Sequence, residues 1–288
     1  MKPNTLVWMN GESTPIENAK ISVRDHGLLY GDGVFEGMRF YDRRVFRLAE
    51  HLERLAFSAR AIGLKIPYTL NQLQQACESL AYSFDLKDGY LRLVVTRGEG
   101  ELGLDPSTCP VPTVFIMADT LALVSEAVRE AGAKVIIAST RRLASDCVDP
   151  RIKSLNYLNG ILARMEANAA GAHEAILLNG AGRVAEGSAD NVFIVKRGCL
   201  LTPPVIDGAL EGITRNEILL IAERLGIQVR VESLAPYDLY TADECFLTGS
   251  GAELIPVSLI DGRAVGVCPG PVYRKLSQAY EECVRSCD

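Results

Sequence analysis

Apolar residues recur along this chain with two different periods, and the order in which those periods alternate restricts the fold more than any other feature of the sequence. Residues 34–41, 90–96 and 113–117 are rich in β-branched and aromatic side chains, as strands are. Leu48, Leu52, Leu55 and Ala59 instead fall on one face of a helix, and a second amphipathic helix is predicted over 70–84. Residues 6–9 and 19–23 read as the arms of a hairpin around Asn10-Gly11, a pair suited to positive φ. Residues 42–44 turn the strand 34–41 into 45–47, and a turn-rich loop fills 98–112. Beyond it the pattern runs strand (134–138), helix (157–170), strands (174–178, 191–195, 199–202) and helix (214–225). Strands near Gln228, Glu244 and Pro256 follow, then a last helix after Gly270-Pro271, where Pro suits a first turn. Such mixing predicts an α/β (α+β) protein in two domains, each a sheet or barrel-like sheet with packed helices. The softest stretch, 119–124, divides a small N-terminal α/β domain (1–118) from a larger C-terminal α/β domain (119–288).

The 288 residues are long enough for two cores, and 48% hydrophobic with 23% charged residues is the composition of a globular protein. A net charge of -6 disfavours a binder of nucleic-acid backbones, so small molecules are the expected partners. No run approaches the roughly 20 apolar residues of a membrane span, and residues 1–13 lack a signal-peptide core, so a cytoplasmic protein with no membrane partner is expected. Cys77, Cys109, Cys147, Cys199, Cys245, Cys268, Cys283 and Cys287 form no CxxC pair and read as buried thiols. With His26, His51 and His173 as the only histidines, no metal site is expected.

Five stretches bear on chemistry. Residues 98–103 match GxGxxG after a strand, but Pro106, Pro110 and Pro112 block the helix that a dinucleotide loop must open. Gly212-Ile213-Thr214 precedes an apolar-periodic run, so its N–H groups suit a phosphate, while Thr214 with Glu217 would equally make a capping box. Thr248-Gly249-Ser250-Gly251, after a strand, offers N–H groups and a hydroxyl in a tight turn, and the two loops together could enclose one anion. Lys153, four residues before Tyr157, has the amine for a Schiff base with an aldehyde, and Glu186 lies in a Gly-containing bend where an exposed acid would be ordinary.

Taken in order, 25–37 (Asp-His-Gly-Leu-Leu-Tyr-Gly-Asp-Gly-Val-Phe-Glu-Gly), 51–55 (His-Leu-Glu-Arg-Leu), 153–157, 186–193, 212–215 and 246–256 resemble the class IV aminotransferases of fold type IV, and within them the branched-chain amino acid aminotransferases. The likeness covers nearly the whole chain. It implies pyridoxal 5'-phosphate at the interface of the two domains, with the Schiff-base lysine, Lys153, in the second. It further implies that Glu186 pairs with the pyridine nitrogen and Tyr157 with the ring hydroxyl oxygen. Arg54, Gly212, Ile213, Thr214, Gly249 and Ser250 would hold the phosphate. Strand alternation puts Phe35, Gly37 and Arg39 on one side, and likewise Tyr90 and Arg92. The resemblance gives those positions, with Tyr30 and Gly251, to the substrate pocket. The activity implied is ping-pong transfer between Leu, Ile or Val and 2-oxoglutarate, in a homodimer acting on amino acids and 2-oxo acids.

Two positions depart from the branched-chain pattern. Ser250-Gly251 stands where Thr-Ala is frequent, and Val95-Thr96-Arg97-Gly98 is similar to the carboxylate-binding segment of D-amino acid aminotransferases. Arg92 and Arg97 therefore compete for a substrate carboxylate. A D-amino acid aminotransferase and an aminodeoxychorismate lyase are the alternatives within the class, and a nicotinamide oxidoreductase or a non-catalytic binding module outside it.

Overall fold

A computed structural model describes residues 6–144 and 146–286. The chain divides into two compact units: residues up to Leu121 together with Ile152–Asn156, and Ala122–Arg151 together with Tyr157 onward. The sequence reading places Lys153 in the second part, whereas the short segment that carries it packs with the first.

In the first unit the order is β1 (Leu6–Met9), β2 (Glu12–Pro15), α1 (His26–Tyr30), β3 (Gly33–Tyr41), β4 (Arg44–Val45), α2 (Leu48–Ala61), α3 (Leu70–Ser83), β5 (Gly89–Thr96) and β6 (Thr113–Asp119). The strands form one six-stranded sheet, β2-β1-β6-β5-β3-β4, antiparallel at every pairing. Asn10 and Gly11 turn the first hairpin at φ 50 and 100, but its second arm is Glu12–Pro15 and not residues 19–23. Ile21 and Val23 stay exposed, because a tight two-residue turn pairs the immediately following residues. The predicted stripe Leu48, Leu52, Leu55 and Ala59 is buried against Val34, Met38, Phe40, Leu91, Leu93 and Ile116. Each buried Leu, Ile or Phe contributes about 1.5–3 kcal/mol, which is what docks α2 and α3 on one sheet face. α3 begins in a capping box between Thr69 and Gln72.

The second unit contains α4 (Glu126–Ala131), β7 (Ala133–Ile137), α5 (Leu158–Ala169), β8 (Glu174–Leu178), β9 (Val184–Gly187), β10 (Asn191–Lys196), β11 (Cys199–Thr202), α6 (Ile213–Arg224), β12 (Val229–Val231), α7 (Pro236–Tyr240), β13 (Glu244–Gly249), β14 (Glu253–Ile260), β15 (Arg263–Ala264) and α8 (Pro271–Arg285). Its mixed sheet runs β12-β11-β10-β13-β14-β7-β8-β9, with β15 on β14. Short antiparallel neighbours such as β10 and β13 pair directly, while the parallel pairs β7–β8 and β11–β12 are spanned by α5 and α6.

The thiols are more varied than the sequence reading has them: Cys77, Cys199 and Cys245 are buried, Cys109, Cys268 and Cys283 partly so, and Cys147 is exposed. Cys287 lies outside the described residues. No helix among the described residues is long and apolar enough to cross a membrane.

Candidate active site

In the first unit the site starts from strand register. β3 and β5 pair Gly37 with Arg92 and Arg39 with Tyr90, so Phe35, Gly37, Arg39, Tyr90 and Arg92 share the face opposite the helices, as alternation requires. The Arg92 guanidinium lies over the Phe35 ring at 4.4 Å and is 5.6 Å from the Tyr90 ring centroid. A Cβ on Gly37 would meet the Tyr90 hydroxyl at 1.9 Å, so the phenol rests on bare backbone that any side chain would deny it. Arg39 Nη2 donates to the Leu121 carbonyl at 3.1 Å.

Residues 152–156 attach to this sheet through backbone. The Phe35 N–H donates to the Lys153 carbonyl at 3.0 Å, and the Leu155 N–H to the Gly33 carbonyl at 2.9 Å. The Lys153 N–H donates to Ser58 Oγ on α2 at 3.1 Å. These bonds commit the main chain of Lys153 and direct its side chain to the sheet face opposite the helices, where Nζ stands 4.7 Å from the Phe35 ring centroid.

Arg97 is placed otherwise. Its Nε and Nη2 form a fork on Asp32 at 2.8 and 3.0 Å, and Nη1 and Nη2 donate to the Gly63 and Ile62 carbonyls at 2.9 and 2.8 Å. Four N–H bonds of a guanidinium's five donors are thereby spent inside the fold. Tyr30 stands against the loop 98–112, its hydroxyl accepting from the Gly103 N–H at 3.0 Å. His26 Nε2 lies 2.8 Å from the Glu101 carbonyl of the same loop. That loop holds one short 3-10 turn, Pro106–Thr108, and no helix, so the GxGxxG match has no dinucleotide context.

On α2, Arg54 lies between His51 and Ser58 in chain order and is bound to Glu36 of β3. Arg54 Nε donates to Glu36 Oε1 and Nη2 to Oε2, each at 2.7 Å, and His51 Nδ1 is 2.7 Å from Oε2. Burial works to raise the Glu36 carboxyl, but the Arg54 charge, with the hydrogen bonds from Arg54 and His51, outweighs it and holds the carboxyl down at about 2. Burial lowers the His51 imidazole below its usual range, so it is the neutral N–H donor of the cluster.

The second unit supplies an anion cradle. α6 starts at Gly212, which caps it without any side-chain hydrogen bond, and Thr214 is inside the first turn. The Thr214–Glu217 capping box expected from sequence is therefore not formed, and the amino end of the helix keeps N–H groups for an anion. The loop Thr248–Gly251 is brought to it by β10. Asn191 pairs with Thr248 across the sheet, donates through Nδ2 to the Leu210 carbonyl at 2.9 Å, and would be struck at 1.9 Å by a Cβ on Gly212. Thr248 Oγ1 is buried without a hydrogen-bond partner among the described residues, the mark of a hydroxyl waiting for a ligand oxygen. The cradle thus fits a phosphate.

Glu186 is not in an exposed bend: it lies in β9 and is buried. Its Oε1 is 2.8 Å from Arg142 Nη2, and its Oε2 accepts from the Leu210 N–H at 2.8 Å. Arg142 Nε in turn donates to the Gly208 carbonyl at 3.0 Å. Arg142 and the Leu210 N–H thus orient the Glu186 carboxylate. Tyr157 is the residue immediately before α5. Sequence reasoning missed Arg142, Ser58 and the partners of Glu36. Only Glu36, set between apolar neighbours on the helix-facing side of its strand, could have been noticed locally.

The chain thus carries a lysine amine beside an aromatic ring, a helix N-terminus without a side-chain cap and a buried carboxylate held by an arginine. The family model described as amino-transferase class IV matches residues 33–260, and the chain belongs to that family. A protein of Methanocaldococcus jannaschii is 47% identical over 277 residues, covering 96% of this chain and 95% of its own. The branched-chain-amino-acid aminotransferase of Escherichia coli is 37% identical over 287 residues, 97% and 93% of the two chains, and a crystal structure of the E. coli enzyme superposes with a TM-score of 0.94 at 36% identity over 98% and 94%. A branched-chain amino acid aminotransferase from T.th., complexed with N-(5'-phosphopyridoxyl)-L-glutamate, gives a TM-score of 0.92 at 38% identity, over 99% and 95%.

Proposed function

We propose that the protein is a pyridoxal-phosphate-dependent aminotransferase that exchanges amino groups between L-leucine, L-isoleucine or L-valine and 2-oxoglutarate in ping-pong fashion. The observation that carries this reading is the convergence of Lys153 Nζ and the Arg92 guanidinium on the Phe35 ring, at 4.7 and 4.4 Å. One apolar wall there serves a branched side chain, and one cation beside it serves a carboxylate.

When bound, the cofactor supplies an aldehyde that takes up the amino group and a pyridine ring that accepts the electron pair left at the substrate Cα. Lys153 tethers it and then moves the Cα proton on Nζ. Tyr157 donates to the ring oxygen, and the anionic Glu186 holds a proton on the ring nitrogen. Arg54, Gly212, Ile213, Thr214, Gly249 and Ser250 bind the phosphate. Phe35, Gly37, Tyr90 and Tyr30 enclose the side chain, and Arg39 and Gly251 border it. Arg92 takes a carboxylate, an assignment supported by the commitment of Arg97 to Asp32, Ile62 and Gly63. The same commitment favours L- over D-amino acids.

We further propose a cytoplasmic homodimer. Leu158, Ile161, Leu162 and Met165 support it: they fall on one face of α5 at i, i+3, i+4 and i+7 and are exposed by 44% or more. A solution mass of one chain would count against it.

The purified protein is expected to absorb in the visible after incubation with pyridoxal phosphate, and to turn over L-leucine with 2-oxoglutarate faster than D-alanine. A colourless protein removes the cofactor, and a preference for D-alanine removes the substrate assignment. A second expectation follows from the Tyr90 hydroxyl resting on Gly37. In Gly37→Ala the Tyr90 ring must swing aside, since its Oη, Cζ and Cε2 would lie 1.9, 2.7 and 3.2 Å from the new Cβ, and the backbone need not move because the clash is with one side chain. KM for L-leucine should rise roughly tenfold, equivalent to about 1.4 kcal/mol, with kcat less affected. Steady-state kinetics and thermal melts of the apoprotein check both halves.

A further inference from the structure

Alternation along β3 gives that strand two unlike faces. Phe35 and Gly37 look toward the pocket, while Val34, Glu36, Met38 and Phe40 look toward α2 and α3. Glu36 is thus a carboxylate set in the apolar layer between sheet and helices, with no exposed surface. Charge in such a place is unfavourable unless paired, and Arg54 and His51 pair it. Stability alone does not account for the arrangement, because apolar side chains of similar volume would dock the helix at least as well as a buried ion pair does.

We infer that Glu36 is a positioning residue for the cofactor phosphate: it sets the plane and direction of the Arg54 guanidinium. The inference rests on the reading of Arg54 as a phosphate ligand. The fork engages Nε and Nη2, the edge of the guanidinium that faces the sheet, and therefore directs the Nη1 corner away from Glu36. Arg54 keeps 14% of its side chain exposed while Glu36 keeps none, so the arginine stands at the rim of the layer and the carboxylate behind it. A flexible arginine would lose rotamer freedom on binding an anion; one held in a fork has lost it already. His51, neutral, secures Oε2 from the side without adding charge. The same helix carries Ser58, which accepts from the Lys153 N–H, and the residue before Glu36 donates to the Lys153 carbonyl. Glu36 therefore ties the arginine to the strand and helix that locate the lysine.

The sign of the effect separates positioning from simple neutralisation. Removing a negative charge beside Arg54 would tighten phosphate binding if charge were all that mattered, whereas loss of orientation weakens it. The test is titration of apoprotein with pyridoxal phosphate, followed by absorbance, for wild type, Glu36→Gln, Glu36→Asp, Arg54→Gln and the double variant Glu36→Gln/Arg54→Gln. The 31P resonance of the bound phosphate and the melting of each apoprotein are recorded alongside. Glu36→Asp keeps the charge but withdraws the fork by one methylene, and it decides the matter should Glu36→Gln fail to fold. Expected are a tenfold or greater rise in Kd for either Glu36 variant, a displaced 31P line, and a double variant no weaker than Arg54→Gln alone. Tighter or unchanged binding in the Glu36 variants beside weaker binding in Arg54→Gln overturns the inference and leaves the role of Arg54 standing. An additive double variant overturns it too, since Glu36 would then act by another route. Unchanged binding in every variant removes Arg54 from the phosphate site and the inference with it.

Discussion

Lys153→Ala should abolish transamination, lowering kcat by at least about 10⁴-fold, while leaving the protein folded. That separation follows from how the residue is built in. What the fold uses of Lys153 is its backbone: the carbonyl accepts from Phe35 N–H and the N–H donates to Ser58 Oγ. An alanine keeps both bonds. Among what it loses is the ammonium placed over the Phe35 ring, a contact worth about 0.5–1 kcal/mol at a partly exposed site. A melting shift of a few degrees in the apoprotein is the structural cost. The chemical cost is the tether and the proton carrier together, and 10⁴-fold corresponds to roughly 5.5 kcal/mol of barrier. Borohydride treatment of the cofactor-loaded protein, followed by peptide mapping, supplies the second readout: the label should fall on Lys153 in the wild type and nowhere in the variant. A label on another lysine would move the Schiff-base role to that residue.

The elements legible in the sequence are those whose burial repeats with one clean period. α2 is an example, because Leu48, Leu52, Leu55 and Ala59 all reach the same core. The shared face of Phe35, Gly37, Arg39, Tyr90 and Arg92 is legible for the same reason, since antiparallel register preserves alternation. The first hairpin misleads because Ile21 and Val23 look like strand residues, yet the edge arm is the polar Glu12–Pro15, whose partner is chosen by the turn and not by hydrophobicity. Glu186 offers no local sign of burial; the Leu210 N–H that covers it lies 24 residues away.

Charged residues show the same limit in sharper form. Arg97 matches a carboxylate-binding segment by its neighbours in sequence, but its use is decided by Asp32, Ile62 and Gly63, none of which adjoins it in the chain. Glu36 belongs to a recognisable motif without revealing what it binds. Arg54 and His51 become its partners only when α2 folds back on β3. The capping reading of Thr214 fails by a shift of two residues, since the helix is capped at Gly212, and that shift leaves its amino end without a side-chain cap. Pattern therefore recovers what repeats along the chain, and the chemistry depends on pairings that do not repeat.

Glu186→Gln should lower kcat by about 10²- to 10³-fold, or roughly 2.7–4 kcal/mol, while changing cofactor affinity much less. In the proposed function the Glu186 carboxylate holds a proton on the ring nitrogen, which a neutral amide of the same shape cannot do. In the same proposal the phosphate-binding residues carry most of the affinity, whereas Glu186 is held by Arg142 and the Leu210 N–H. Glutamine is the informative replacement. Alanine would leave Arg142, whose side chain is only 19% exposed, beside a cavity with its charge uncompensated, so a loss of activity could then reflect a displaced loop at Gly208–Leu210. With glutamine the Leu210 N–H keeps an acceptor, and the loop stays. The measurement is kcat for L-leucine with saturating pyridoxal phosphate, set against the Kd of the cofactor for the same variant. A variant that binds the cofactor a thousandfold more weakly yet turns over normally once saturated would show that Glu186 anchors the ring and does not tune it.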